Sequence, residues 1–98
     1  MAAVTNLNAK RRVLDLAGAR VPRTDLSRAK LRQANLSFAD LSFASLRGAD
    51  LEGAILKGTI LVGADLTEAR NVTAEQLDEA VIDGTTQLPD YLARPRKL

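Results

Sequence analysis

Six short polar residues recur in one slot of a repeating pattern: Asp15, Asp25, Asn35, Asp40, Asp50 and Asp65. Carboxylates set a fixed step apart are the material of general acid–base catalysis and of oxygen-ligated metal sites. Two residues further on, Ser27, Ser37, Ser42 and Thr67 supply hydroxyls of the kind that serve as nucleophiles. Both chemistries lack their usual helpers. The 98-residue chain has no histidine to activate a hydroxyl or ligate a metal, and no cysteine to act as a thiolate or form a disulfide. Short polar side chains held in one slot are better explained by hydrogen bonds to their own backbone and by solvation of a wall. The expectation is a protein that is not an enzyme, with no catalytic, metal-binding or cofactor-binding residue.

The slot exists because the chain is periodic. Leu16, Val21, Leu26, Leu31, Leu36, Leu41, Leu46, Leu51, Leu56, Leu61 and Leu66 mark every fifth position. Two residues before each stands alanine or threonine, with Leu14 the one large exception. A period of five fits neither a helix nor an ordinary strand. In extended backbone, residues two apart share a face, so the small residue and the leucine of each unit point inward together. Five is odd, so the alternation breaks once per unit and demands a turn, and four turned units close a square. Repeated units of this kind stack to bury a shared face, which makes a solenoid. Its interior must be leucine and alanine: 46% of residues are apolar, yet only Phe38, Phe43 and Tyr91 are aromatic.

The runs Ala34-Asn35-Leu36, Ala39-Asp40-Leu41, Ala49-Asp50-Leu51 and Ala64-Asp65-Leu66 resemble the pentapeptide-repeat proteins, and the resemblance extends over residues 14–70. It implies an all-β solenoid, the right-handed quadrilateral β-helix of that family. With four units per coil, residues twenty apart stack at the ~4.8 Å spacing of paired strands. Leu16 then lies under Leu36 and Leu56, Val21 under Leu41 and Leu61, Leu26 under Leu46 and Leu66, and Leu31 under Leu51.

The ladder fails at Asn71, where a leucine is due. Thr73 followed three residues later by Gln76 matches a capping box, Glu75 and Asp78 suit the positive end of a helix dipole, and Leu77, Ala80 and Val81 form one apolar stripe. The spacing predicts a short C-terminal α-helical cap ended by Gly84, with Leu88 to Leu92 packed beside it. The segment Thr73 to Pro89 also resembles a terminal segment of bacterial pentapeptide-repeat proteins. Three parts follow: residues 1–12 as an N-terminal cap or disordered segment, 13–71 as β-helix, and 72–98 as helical cap and basic tail.

Function must be sought where the pattern is irregular. Phe38 and Phe43 occupy the last outward slot of consecutive units, Gly58 and Gly63 the same slots one coil later, and Ile55, Ile60 and Val62 fill other outward slots on those two sides. Contiguous exposed apolar side chains mark contact surfaces, so Phe38, Phe43, Ile55, Ile60 and Val62 form the candidate protein contact patch. The alternatives are that the terminal segment folds back over these residues, or that the two rings merely cover the glycines above them.

Charge is also uneven. Residues 1–32 carry eight basic and two acidic side chains, whereas residues 33–93 carry three basic and ten acidic ones, and the tail returns the net charge to +2. Along a solenoid this is a basic base and an acidic top, suited to an acidic partner or to head-to-tail contact between copies, or simply to solvation. Nucleic acid is disfavoured, because no aromatic is interleaved with the basic cluster. No apolar run reaches the ~20 residues of a membrane span, and residues 1–12 do not read as a signal peptide, so a cytoplasmic protein is expected. The expected function is a non-enzymatic scaffold that binds another protein, with self-association left open, no cofactor and no small-molecule substrate. The family resemblance implies one alternative, a DNA-mimicking protein that binds DNA gyrase and confers quinolone resistance. That role needs a strongly negative surface, whereas residues 13–70 hold seven acidic and eight basic side chains.

Overall fold

The computed structural model describes residues 14–92. The expected segment 1–12 and the tail from 93 lie outside the described residues. The units fold alike: the amide of the small residue donates to the carbonyl three residues back, as from Ala39 to Leu36 at 3.0 Å, closing a β-turn, and at Thr24 the hydroxyl reaches Val21 O at 2.6 Å. The second central residue of each turn has φ between 61° and 73°, from Gly18 and Arg23 through Gly63 and Glu68, as a type II turn requires. Between turns one residue per unit forms a parallel bridge to its neighbour twenty positions on. Four columns result: Asp15–Asn35–Ile55, Arg20–Asp40–Ile60, Asp25–Ser45–Asp65 and Lys30–Asp50–Arg70. Twenty residues thus make one four-sided coil, in the register that the leucine spacing implies. Among the described residues the rungs are single bridges with no extended strand, because the turn consumes the rest of each five-residue unit.

The core is the stack of inward leucines from Leu31 to Leu66 with the small residues between them. Leu36, Leu41, Ala39 and Thr59 have no measurable exposure. Threonine is tolerated there because the Thr59 hydroxyl donates to the Leu36 carbonyl at 2.7 Å, leaving no polar atom unsatisfied. Leu16, Val21 and Leu26, at the lower end of the stack, are only partly buried.

Beyond Arg70 the chain abandons the repeat, and the ending differs from the expectation. Asn71 adopts a left-handed conformation with φ of 63° and Val72 takes the buried place instead. A helix forms over Ala74–Glu79 with Thr73 as N-cap and the full capping box to Gln76. It ends before Val81 and well before Gly84, so Val81 is not part of a helical stripe, and Asp78 lies past the first turn. Val81 instead bridges Ile60: its amide donates to Thr59 O at 2.8 Å and its carbonyl accepts from Leu61 N at 2.8 Å. The open rung of the third coil offers two backbone hydrogen bonds to a β-branched residue, whereas another helical turn would extend a helix whose final residue, Glu79, already opposes the dipole. Gly84 falls in the turn closed by Thr86 N to Asp83 O, and Gln87 bridges Asp65. A 3₁₀ turn, Asp90–Leu92, completes the described chain, with Pro89 fully buried and the Tyr91 hydroxyl donating to Ala69 O at 2.6 Å.

Candidate functional site

The polar slot braces the turns. Each of Asp15, Asp25, Asn35, Asp40, Asp50 and Asp65 accepts, through its side-chain oxygen, the backbone N–H two residues on, at 2.9–3.1 Å. Ser27, Ser37, Ser42 and Thr67 donate their hydroxyls to the same oxygens. The hydroxyls are therefore committed as donors at the corners, in Asx-type turns. No group of three acidic residues positioned to hold a metal occurs among the described residues.

These bonds favour the ionised acids. The Ser27 hydroxyl and amide hold Asp25 below the usual carboxylate range, and Ser42 does the same for Asp40. Burial pushes Asp65 upward, but the Thr67 hydroxyl and amide together with the Arg47 guanidinium outweigh it. Asp50 is lowered furthest, from 3.8 to about 2, first by the Asn71 amide and then by Arg32. A carboxylate whose folded pKa is depressed contributes its stability above the unfolded value and loses it as pH falls through the folded one. Asp50→Asn should therefore be less stable than the parent above pH 3.8, with the gap closing towards about pH 2. Thermal melts across that range check this; a gap independent of pH would remove Asp50 as its source.

The uneven charge is partly consumed between coils. Arg32 reaches up to Asp50 at 2.8 Å and Glu52 at 2.5 Å, and Arg47 to Asp65 at 3.4 Å and Glu68 at 3.9 Å. Basic residues below acidic ones thus become cross-coil ion pairs in this part of the molecule.

The apolar outward residues remain. Phe38 is 62% exposed and Phe43 52%, although each ring lies against a glycine of the next coil. A Cβ on Gly58 would enter the Phe38 ring and one on Gly63 the Phe43 ring. The rings therefore cover the glycines with one face and leave the other open. Ile60 and Val62 are partly buried on the same side of the coil, while Ile55, 47% exposed, belongs to the preceding column. Val81, also 47% exposed, continues the Ile60 column and enlarges the apolar surface. Its place there was hidden in the sequence by its helical spacing from Leu77. At the lower border the Arg23 guanidinium lies 4.9 Å from the centre of the Phe43 ring, a cation–π contact.

The glycine stacking has its own test. Gly63 has φ of 73°, where an alanine costs about 1 kcal/mol, and its Cβ would also displace the Phe43 ring. Gly63→Ala should lower the melting temperature, and Phe43→Ser in the same chain should restore the part owed to the ring. Strictly additive losses in the double variant would contradict the contact.

Comparison with known proteins fits this geometry. The family model described as Pentapeptide repeats matches residues 15–42 and 34–70, with eight copies. Among solved structures, a pentapeptide repeat protein from the cyanobacterium Cyanothece 51142 is 31% identical with a TM-score of 0.62 over 76% of this chain. This chain spans only 53% of that protein's length. A pentapeptide repeat protein from Nostoc PCC 7120 is 25% identical over 92% of this chain and 85% of its own, with a TM-score of 0.35. One from the Arabidopsis thaliana thylakoid lumen is 26% identical over 86% of this chain and 66% of its own, with a TM-score of 0.30. None of the curated proteins matches the sequence.

Proposed function

The chain belongs to the pentapeptide-repeat family, and on that footing we propose that it is a non-enzymatic interaction module of the cytoplasm that binds another protein through its apolar side. Phe38 and Phe43, each more than half exposed on a rigid coil, carry the proposal. Exposed rings on a fixed scaffold lose little conformational freedom on binding and bury a large area, as the anchors of protein interfaces do. Arg20 at the foot of the Ile60 column and Arg23 beneath Phe43 border the surface. The partner that fits is an apolar protein segment with a carboxylate at its edge. Residues 72–92 serve as the terminal cap of the solenoid, covering rungs that would otherwise recruit further chains.

The test is affinity purification with the parent chain and with a Phe38→Ser, Phe43→Ser variant of matched melting temperature. A protein retained by the parent and lost by the variant, and rebound after purification of both components, is the expected result. Equal retention by the variant would remove the apolar side as the binding surface. The gyrase-binding alternative draws no support from the charges, because Asp50, Glu52, Asp65 and Glu68 are paired with Arg32 and Arg47. Adding the chain to a gyrase supercoiling assay should leave supercoiling unchanged; inhibition at stoichiometric concentrations would favour DNA imitation instead.

A further inference from the structure

On a different part of the coil the turn glycine has another consequence. At the corner Arg28–Gly48–Glu68 no ring fills the space beside the glycine; the Arg28 stem does, with its Cγ 3.3 Å from the point a Gly48 Cβ would occupy. The gap above Gly48 opens into a furrow of about 470 Å³ lined by Arg28, Lys30, Arg32, Gly48, Asp50, Glu68 and Arg70. A smaller hollow adjoins it and shares Arg28, Gly48 and Glu68.

The carboxylates lining the furrow are already engaged. Asp50 receives the Arg32 guanidinium at 2.8 Å, the Asn71 amide at 2.9 Å and the Glu52 backbone N–H at 3.1 Å. Glu68 faces Arg47. Arg28, Lys30 and Arg70 have no acidic partner within ion-pair distance among the described residues. Lys30 and Arg70 occupy the same column on either side of Asp50, two rung spacings apart, roughly 9.5 Å along the axis. Arg28 approaches from the neighbouring corner with its aliphatic stem packed on the Gly48 backbone, so less freedom is lost when its guanidinium takes a ligand.

We propose that this furrow binds a small multiply charged phosphate ligand, of the diphosphate or triphosphate class, between Arg28, Lys30 and Arg70. Arginine supplies paired donors for phosphoryl oxygens and lysine a mobile point charge. The separation of Lys30 from Arg70 suits an extended oligophosphate better than a single phosphate. The site is for a ligand, not a substrate, since no group positioned to transfer a phosphoryl group lines it.

Isothermal titration of the full chain with tripolyphosphate tests this, with sulfate, inorganic phosphate and a DNA duplex as comparisons. Saturable one-to-one binding is expected, tighter for tripolyphosphate than for phosphate or sulfate. Lys30→Gln and Arg70→Gln should each weaken it about tenfold, whereas Arg20→Gln, on another column, should not. Arg28→Gln should act similarly, and if its lost packing lowers the melting temperature, the other two variants still decide the matter. Absence of saturation at millimolar tripolyphosphate would overturn the proposal. So would affinity that falls with salt yet is indifferent to Lys30 and Arg70, which is diffuse attraction to basic residues elsewhere. DNA binding lost in the same variants and not displaced by tripolyphosphate would overturn it in favour of a nucleic-acid surface.

Discussion

Replacing Ala39 or Ala44 by leucine is expected to lower the melting temperature by roughly 5–20 °C, from an overpacking cost of about 1–3 kcal/mol and a domain of this size. Both alanines are buried to within 1% of complete. Each is followed two residues later by an inward leucine, Leu41 or Leu46, and opposite walls of a four-sided coil approach too closely to admit a second large side chain. The backbone cannot move aside cheaply. Ala39 N–H bonds Leu36 O within its turn, and Ala39 O accepts from Ile60 N on the next coil at 2.9 Å. Expanding one small slot therefore strains two coils at once. Leucine at Lys57, an exposed position of the same solenoid, serves as control and should leave the melt within about 1 kcal/mol of the parent. Unchanged melts for both core variants would mean that the small slot does not face the interior.

Gln76 should produce the second large effect. In the lower coils, Leu14 O accepts from Asn35 N and Ala34 O from Ile55 N, so Ala54 O is due a donor from the next coil. The helix over Ala74–Glu79 cannot provide a strand amide there. The Gln76 side chain replaces it, its Nε2 donating to Ala54 O and Leu51 O at 2.9 Å each while its Oε1 accepts from Thr73 N at 2.8 Å. Gln76→Ala removes the donor from a part-buried carbonyl and half of the capping box together, a loss of about 2–4 kcal/mol. Gln76→Glu retains the acceptor for Thr73 N but presents an anion to two carbonyls, so it should be at least as damaging. Uncovering this end should also make light scattering depend on concentration, because unpaired rungs are templates for further chains. A glutamate variant as stable as the parent would show that the two carbonyl contacts contribute nothing.

The repeat was legible because one slot carries one physical demand. Inward leucine, alanine at the close approach and an Asp or Asn just before the turn each recur at a fixed phase, so the twenty-residue columns could be written down in advance. The ending was less legible because its residues answer to more than local spacing. Val81 has helical spacing from Leu77, yet the open rung at Ile60 draws it into a bridge. Asn71, a plain interruption in the sequence, turns through a left-handed conformation and brings its amide to Asp50. Covering the glycines leaves Phe38 and Phe43 more than half exposed, since a ring has two faces and a glycine covers only one, so that explanation does not exclude a contact surface. Nothing in the spacing distinguishes Arg28 beside Gly48 from Phe38 beside Gly58. One leaves a polar furrow and the other an apolar side, according to the chemistry of the side chain that leans over the glycine.

The sequence by itself determined the period, the number of sides, the inward residues and the place where the five-residue repeat breaks, because these follow from interactions repeated in every unit. Tertiary structure alone decided what lies on the outside: which charges neutralise one another across coils, which cations stay uncommitted, which rings remain open and how Gln76 closes the last rung. Those outcomes depend on side chains brought together from eighteen to twenty-five residues apart, at distances set by the coil and by the direction each side chain takes.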